Sequence, residues 1–273
     1  MTDITPDDDA PALRPVNKPL RFMTLRAIVA LMLRQMASTY GRSPGGYIWA
    51  IIQPAATIFI FVALFRAAFR SPSLGTNFAM FYASGYLPYY MGIKLATEVG
   101  GTLRKSKALL TFPRVTIFDA VVARMFLEVV TQLMIAFILL ALIMGIYDTQ
   151  TVVVLPKIIL AYTMAIALGT GIGILHCFLI VQFTLWKGVW GIMTRPLVII
   201  SGVIFMHERV PQPYRGWLEW NPFTHIVSQS RSGFYVSYEP DYIDPVFVFT
   251  IAAVCGVVGT LFLRRYHRDL LEL

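Results

Sequence analysis

The chain between Glu98 and Arg114 reads EVGGTLRKSKALLTFPR, a charged interruption between two long apolar stretches. Arg104, Lys105 and Lys107 stand beside the apolar triplet Ala108-Leu109-Leu110, and Phe112-Pro113 closes the segment before Arg114. A short basic stretch with an apolar patch is either a docking element for a soluble partner or a surface loop whose cations face lipid phosphates. In both cases it lies at a membrane face, and the sequence on either side can be read outward from it.

Composition supports that frame. Hydrophobic residues make up 57% of the 273 residues and charged ones only 14%, so a soluble domain is excluded and an all-α integral membrane protein is expected. Apolar runs close to the roughly 20 residues that cross a bilayer as a helix recur along the chain. They predict six transmembrane helices, at about 47–66, 78–98, 117–146, 157–183, 188–206 and 245–263, within a membrane domain of residues 20–273. The fifth is broken by Arg195-Pro196, read as a kink with its charge turned inward or as a break whose backbone groups are satisfied by neighbours.

An even number of spans places both termini on one side. With the termini taken as cytoplasmic, the inner segments carry fourteen lysines and arginines against six outside, which favours that orientation. The net charge of +8 is divided among short loops, so it reflects membrane topology and not nucleic-acid binding. No cleaved signal peptide is expected, because Asp3, Asp7, Asp8 and Asp9 open the chain. Residues 1–19, acidic and proline-rich, read as a disordered cytoplasmic tail.

Leu20 to Ala37 is apolar but contains three arginines. At 100° per residue Arg21, Thr24, Arg34, Gln35 and Ser38 share an arc of about 140°, which suits an amphipathic helix lying in the interface better than a seventh span. Tyr47 and Trp49 at the start of the first span are either interface anchors or the lining of a substrate entrance.

The second span carries Tyr86, Tyr90, Lys94 and Glu98 at intervals of four, and the third opens with Arg124, Glu128 and Gln132 at the same interval. Antiparallel spans leaving one loop bring these charges to similar depth, where crosswise pairing avoids the cost of lone charges in hydrocarbon, about 3 kcal/mol each. Two roles remain open: a network that holds two helices together, or a polar and aromatic wall of a translocation path. Gly169, Gly171 and Gly173 in the fourth span indicate close helix packing and not a phosphate loop, since no Gly-Lys-Ser/Thr follows. Asn221-Pro222 starts a helix in the 206–244 segment, which either dips into the outer leaflet or forms an ordinary outer-loop helix.

Catalytic machinery is not apparent. His176, His207, His225 and His267 are scattered, Cys177 and Cys255 fall in apolar runs, and no metal site, nucleophile elbow or nucleotide-binding motif is visible. If transport is ATP-driven, the ATPase is another polypeptide.

The ordered set of six spans, a preceding interfacial helix, LRKSKALLTFPR before the third span, SGVIF at 201–205 and WNPFTHIVSQSRSGFY at 220–235 resembles the permease subunit of type-2 ABC exporters. It is most similar to the capsular polysaccharide export permeases of Gram-negative bacteria (KpsM-type). The resemblance implies a homodimer with two ABC ATPase subunits in the bacterial inner membrane, moving lipid-linked polysaccharide from cytoplasm to periplasm. ATP and Mg would be bound by the ATPase, with no cofactor in this chain. A periplasmic co-polymerase and an outer-membrane export protein are implied as further partners. The loop around Arg104, Lys105, Lys107, Leu109, Leu110, Phe112, Pro113 and Arg114 then becomes an ATPase coupling helix. The segment with Asn221, Pro222, His225 and Arg231 becomes paired re-entrant periplasmic helices, and Tyr47, Trp49, Tyr86, Tyr90, Lys94, Glu98, Arg124 and Glu128 become candidates for the path. One departure is Trp186-Lys187-Gly188, where many relatives carry an Arg-Asp pair. Two alternatives are export of O-antigen, teichoic acid or a drug by the same kind of permease, and a lipid-modifying enzyme using Glu98, Glu128 or His176.

Overall fold

The computed structural model describes residues 23–40, 45–105 and 116–266. Lys107, Leu109, Leu110, Phe112, Pro113 and Arg114, the tail 1–19 and the side chain of Tyr47 lie outside the described residues. The described residues are helical with no strand: α1 (Met23–Tyr40), α2 (Gly46–Ala68), α3 (Phe78–Gly100), α4 (Ile117–Ile146), α5 (Leu155–Gln182), α6 (Trp186–Ile200), the short α7 (Tyr214–Glu219), α8 (Pro222–Phe234) and α9 (Pro245–Arg265). Capping side chains set several starts. Asn77 Oδ1 accepts from Ala79 N at 2.7 Å, and Thr116 and Asp119 form a reciprocal capping box that opens α4. Asn221 and Asp244 cap α8 and α9, each followed by proline at the first position.

Among the described residues, four helices are long and apolar enough to cross a membrane: Ile48–Ala68, Ile117–Ile146, Leu155–Gln182 and Pro245–Arg265. α3 is 23 residues, about 34 Å at 1.5 Å per residue, yet its tyrosines, Pro88 and Lys94 make it less apolar. Its place in the bundle explains this. Every residue from Phe78 to Tyr89 is buried, so α2, α4, α5 and α8 provide the surroundings that lipid provides for the others.

α5 is the packing axis. A Cβ at Gly169 would stand 2.6 Å from the Gly92 carbonyl oxygen, and one at Gly173 would stand 2.7 Å from Val99 Cβ, so both glycines face α3. Gly171 turns the other way, where a Cβ would fall into the Ala252 backbone of α9, and Gly259 of α9 lies against Leu175 of α5. Residue numbers rise together along both seams, so α3, α5 and α9 run parallel. The end holding Gly100, Ile117 and Gln182 is called the near end below, and the opposite end the far end. Small residues let these backbones approach closely, as the sequence suggested. Gly171→Ala is therefore expected to lower stability by about 1–3 kcal/mol through overpacking, while Gly145→Ala, with open space around it, should have little effect. Thermal unfolding of the detergent-purified variants checks this.

Two sequence expectations change. In α1 the buried side carries Leu31 and Gln35, so Gln35 belongs to the packed face and not to the polar one, while Arg26 and Arg34 are exposed. In α6, Arg195 is exposed and not turned into the bundle, and the helix stops at Ile200 although the apolar run continues to Met206. The stop is made by Gly202, whose φ of 70° lies in the left-handed region that favours glycine, and by a side chain from α8 that takes the carbonyls beyond it.

Candidate functional site

Two polar constellations are built into this frame. The first lies near the 106–115 segment. Glu98, on the last turn of α3, pairs with Lys94 one turn earlier at 3.6 Å and with Lys105 at 2.6 Å. Lys105 reaches it because the chain resumes helix over 102–105. From α4, Arg124 donates to Glu98 Oε2, and its Nη2 stands 2.8 Å from Glu128 Oε1 one turn away. Arg124 and Glu128 are buried, Glu98 is nearly so, and Lys94 and Lys105 are progressively exposed. Of the expected crosswise pairs, Arg124 with Glu98 is present and Arg124 bridges both carboxylates, while Lys94 pairs with Glu98 on its own helix. The sequence did not foresee Lys105, which joins only when helix continues past Gly101.

Beside the cluster, Trp190 of α6 donates from Nε1 to Thr97 Oγ1 at 2.9 Å, and its ring meets His176 of α5 at 4.3 Å. His176 is packed between Trp186 and Trp190. The acid-base set imagined for a lipid-modifying enzyme is not assembled, since both carboxylates are engaged by Arg124 and the imidazole is held in an aromatic wedge.

The tyrosine stripe is largely interior. Tyr86 is buried against Phe61 and stacks on Tyr90 at 5.5 Å, while Tyr89 donates to the Thr194 carbonyl of α6 at 3.3 Å. Trp49 is 63% exposed on α2, apart from this group.

The second constellation is α8 with its flanks. Residues 201–234 leave α6, turn at His207–Arg209, and return through α7 and α8, with α8 wedged between α3 and α5. Ser230 donates to the Ser84 carbonyl at 2.7 Å, Gly233 accepts from Val154 N at 2.8 Å, and Phe223 meets Tyr89 at 5.4 Å. The N-terminus of α8 therefore sits at the level of mid-α3, and its C-terminus at the far end. All residues from Phe223 to Phe234 are buried, so α8 is not an ordinary outer-loop helix with one face in water. Thr224, His225, Gln229, Ser230, Arg231 and Ser232 bond to backbone groups, and Ser228 pairs with the Tyr242 hydroxyl.

Arg231 shows how. Its Nη1 donates to the Gly202 carbonyl at 2.7 Å and to that of Phe205 at 3.3 Å, its Nη2 donates to the Val203 carbonyl at 2.7 Å, and the guanidinium lies 4.2 Å from the Phe81 ring centre. It substitutes for the helical N–H groups that α6 would have supplied had it continued. His225 ties three elements: Asp244 N–H donates to Nδ1 at 3.0 Å, leaving Nε2–H to donate to the Glu219 carbonyl at 2.8 Å. Asn221 caps α8 and also donates to Ser201 Oγ at 3.0 Å. His207 packs on Tyr242 at 4.1 Å, and burial pushes its pKa below the ordinary imidazole value.

Among the described residues the frame is thus a parallel three-helix core, with a buried ion cluster at the near end and a folded-back hairpin at the far end. Residues 26–235 match the family described as ABC-2 type transporter. The chain belongs to that family. It is a transporter permease and not an enzyme, and membership makes it the membrane part of an ABC transporter, working with ATPase partners.

The permease is also similar to named relatives. It is 23% identical over 244 residues to the polysialic acid transport protein KpsM of Escherichia coli, covering 89% of this chain and 95% of that protein. To the capsule polysaccharide export inner-membrane protein CtrC of Neisseria meningitidis serogroup B it is 22% identical over 237 residues, 87% of this chain and 88% of the relative. To BexB of Haemophilus influenzae, also a capsule polysaccharide export inner-membrane protein, it is 23% identical over 218 residues, 78% and 82% of the two chains.

Proposed function

We propose that this permease is the membrane subunit of an ATP-driven exporter that moves lipid-linked capsular polysaccharide across a bacterial inner membrane, from cytoplasm to periplasm. The observation that carries this is likeness along most of the chain to capsule polysaccharide export inner-membrane proteins of two organisms and to a polysialic acid transport protein of a third. Six crossings, α2, α3, α4, α5, α6 and α9, fit the parallel run of α3, α5 and α9, because α4 and α6 must then return between them. The near end is cytoplasmic, with both termini there, α1 lies in the interface, and the α7–α8 hairpin is re-entrant from the periplasmic side.

Two copies of the chain and two ATPase subunits form the working unit. A periplasmic co-polymerase and an outer-membrane export protein carry the polymer onward. ATP and Mg are bound by the ATPase subunits, and this chain holds no cofactor. Support for a second copy comes from α6, where Ile192, Met193, Ile199 and Ile200 are exposed on a helix that also carries exposed Arg195, a poor surface to turn entirely to lipid.

Residues 101–112 act as the coupling helix, and Lys105 hands their displacement to Glu98 and Arg124. Replacing Leu109 and Leu110 with aspartate is expected to abolish export, with polymer retained in the cytoplasm, while the permease stays in the membrane. Quantifying cell-surface and cytoplasmic glycan by fractionation tests it. Unchanged surface glycan in the double variant would remove the coupling role, and loss of the whole chain without any glycan accumulation would remove the capsule reading.

A further inference from the structure

A pocket of about 200 Å³ opens at the far end, where α2, the loop before α3 and the turn after α6 meet. Phe65, Phe69, Phe78, Tyr82 and Phe205 line it together with Arg209, and Ser71 and Ser73 add hydroxyls. The rings are pre-arranged by one another: Phe65 stacks on Phe69 at 5.9 Å and tilts against Tyr82 at 5.3 Å. The polar groups, in contrast, are unspent. Arg209 is exposed, and its guanidinium makes no ion pair or hydrogen bond with the described residues. The neighbouring carboxylate, Glu208, is engaged elsewhere by the Tyr238 hydroxyl at 2.8 Å. Tyr82 is buried, yet its hydroxyl has no hydrogen-bond partner among the described residues.

Aromatic faces beside an uncompensated guanidinium suit a ligand that has an apolar ring face and a carboxylate. The rings offer area at little entropic cost, and Arg209 offers a planar fork that matches two carboxylate oxygens. Size narrows the choice, because 200 Å³ is below the roughly 300 Å³ at which drug-sized pockets begin. One sugar ring fits that space and an oligosaccharide does not. We propose that this pocket binds a single acidic pyranose of the passing polymer, its C–H face on the aromatic wall and its carboxylate on Arg209. The assignment rests on the export reading above and deepens it with a subsite at the far end of the route.

The test uses the full-length permease in phosphatidylcholine nanodiscs, without its ATPase, with saturation-transfer NMR titrations of glucuronate, glucose and glycerol 1-phosphate. Glucuronate should receive saturation at its ring C–H protons, and glucose should bind about tenfold more weakly for want of the charge-assisted contact. Arg209→Gln should bring glucuronate down to the level of glucose. Phe69→Ala, at a residue already 56% exposed and so without risk to the core, should weaken both sugars. The proposal is overturned if Arg209→Gln leaves glucuronate affinity unchanged, if no saturation reaches the ring protons, or if glycerol 1-phosphate displaces glucuronate at a lower concentration than glucuronate itself requires. That last result would assign the pocket to a lipid headgroup. Binding is read here on the isolated permease and export by glycan fractionation in cells, so failure of either reading is visible without the other.

Discussion

Arg124→Leu is expected to remove nearly all folded permease from the membrane. Arg124 is the cation between two carboxylates, Glu98 and Glu128, and it and Glu128 have almost no exposed surface. Taking out one member of a buried ionic set strands the others, a loss of about 3–5 kcal/mol, against a total stability on the order of 5–15 kcal/mol. Arg124→Leu combined with Glu128→Leu should be more stable than Arg124→Leu alone, because one stranded carboxylate has gone. Lys105→Ala should change stability by less than about 1 kcal/mol, since its side chain is 58% exposed and its pair with Glu98 is screened. Membrane abundance and thermal unfolding distinguish these, and a wild-type melting temperature for Arg124→Leu would refute the account of the cluster.

Arg231→Met is expected to have an effect of similar size by a different route. The buried carbonyls of Gly202 and Val203 would lose their donor, at about 1–3 kcal/mol for each group left unsatisfied, and the half-buried carbonyl of Phe205 would lose its contact too. Arg231→Lys should recover only part of this, since an ammonium lacks the planar fork that serves carbonyls on two sides. Hydrogen exchange gives the direct readout. Residues 201–206 should lose protection in Arg231→Met before α5 does, and uniform loss across the protein would mean that Arg231 stabilises something broader than this turn.

The lipid-facing helices were legible because hydrocarbon demands long uncharged runs, and α2, α4, α5 and α9 have them. The ion cluster was legible for a related reason: charges at intervals of four on two segments leaving one loop have few places to go except toward each other. Gly169 and Gly173 announced a close seam, although nothing in the sequence said that Gly171 would serve a second one. The role of Arg231 left no trace, because its partners are main-chain carbonyls, which every residue possesses. The burial of α8 was hidden for the same reason. Ser230 and Gln229 look like water-facing residues until the carbonyls of Ser84 and Lys157 are placed beside them. The pocket was equally silent, since Phe65, Tyr82, Phe205 and Arg209 come from three separate stretches of chain.

The interior position of α3 bears on how the permease is made. α3 leaves the ribosome before α4, α5 and α8, the helices that cover its tyrosines and the carboxylate of Glu98, have been synthesised. A segment with four tyrosines, Pro88 and Lys94 partitions weakly from the translocon into lipid by itself. Its stable placement therefore waits for the Arg124 end of α4 to arrive and neutralise Glu98, which makes the α3–α4 hairpin, and not the single helix, the unit of insertion. The same ion pairs that tie α3 to α4 in the finished permease are thus a condition for α3 to take its interior place at all.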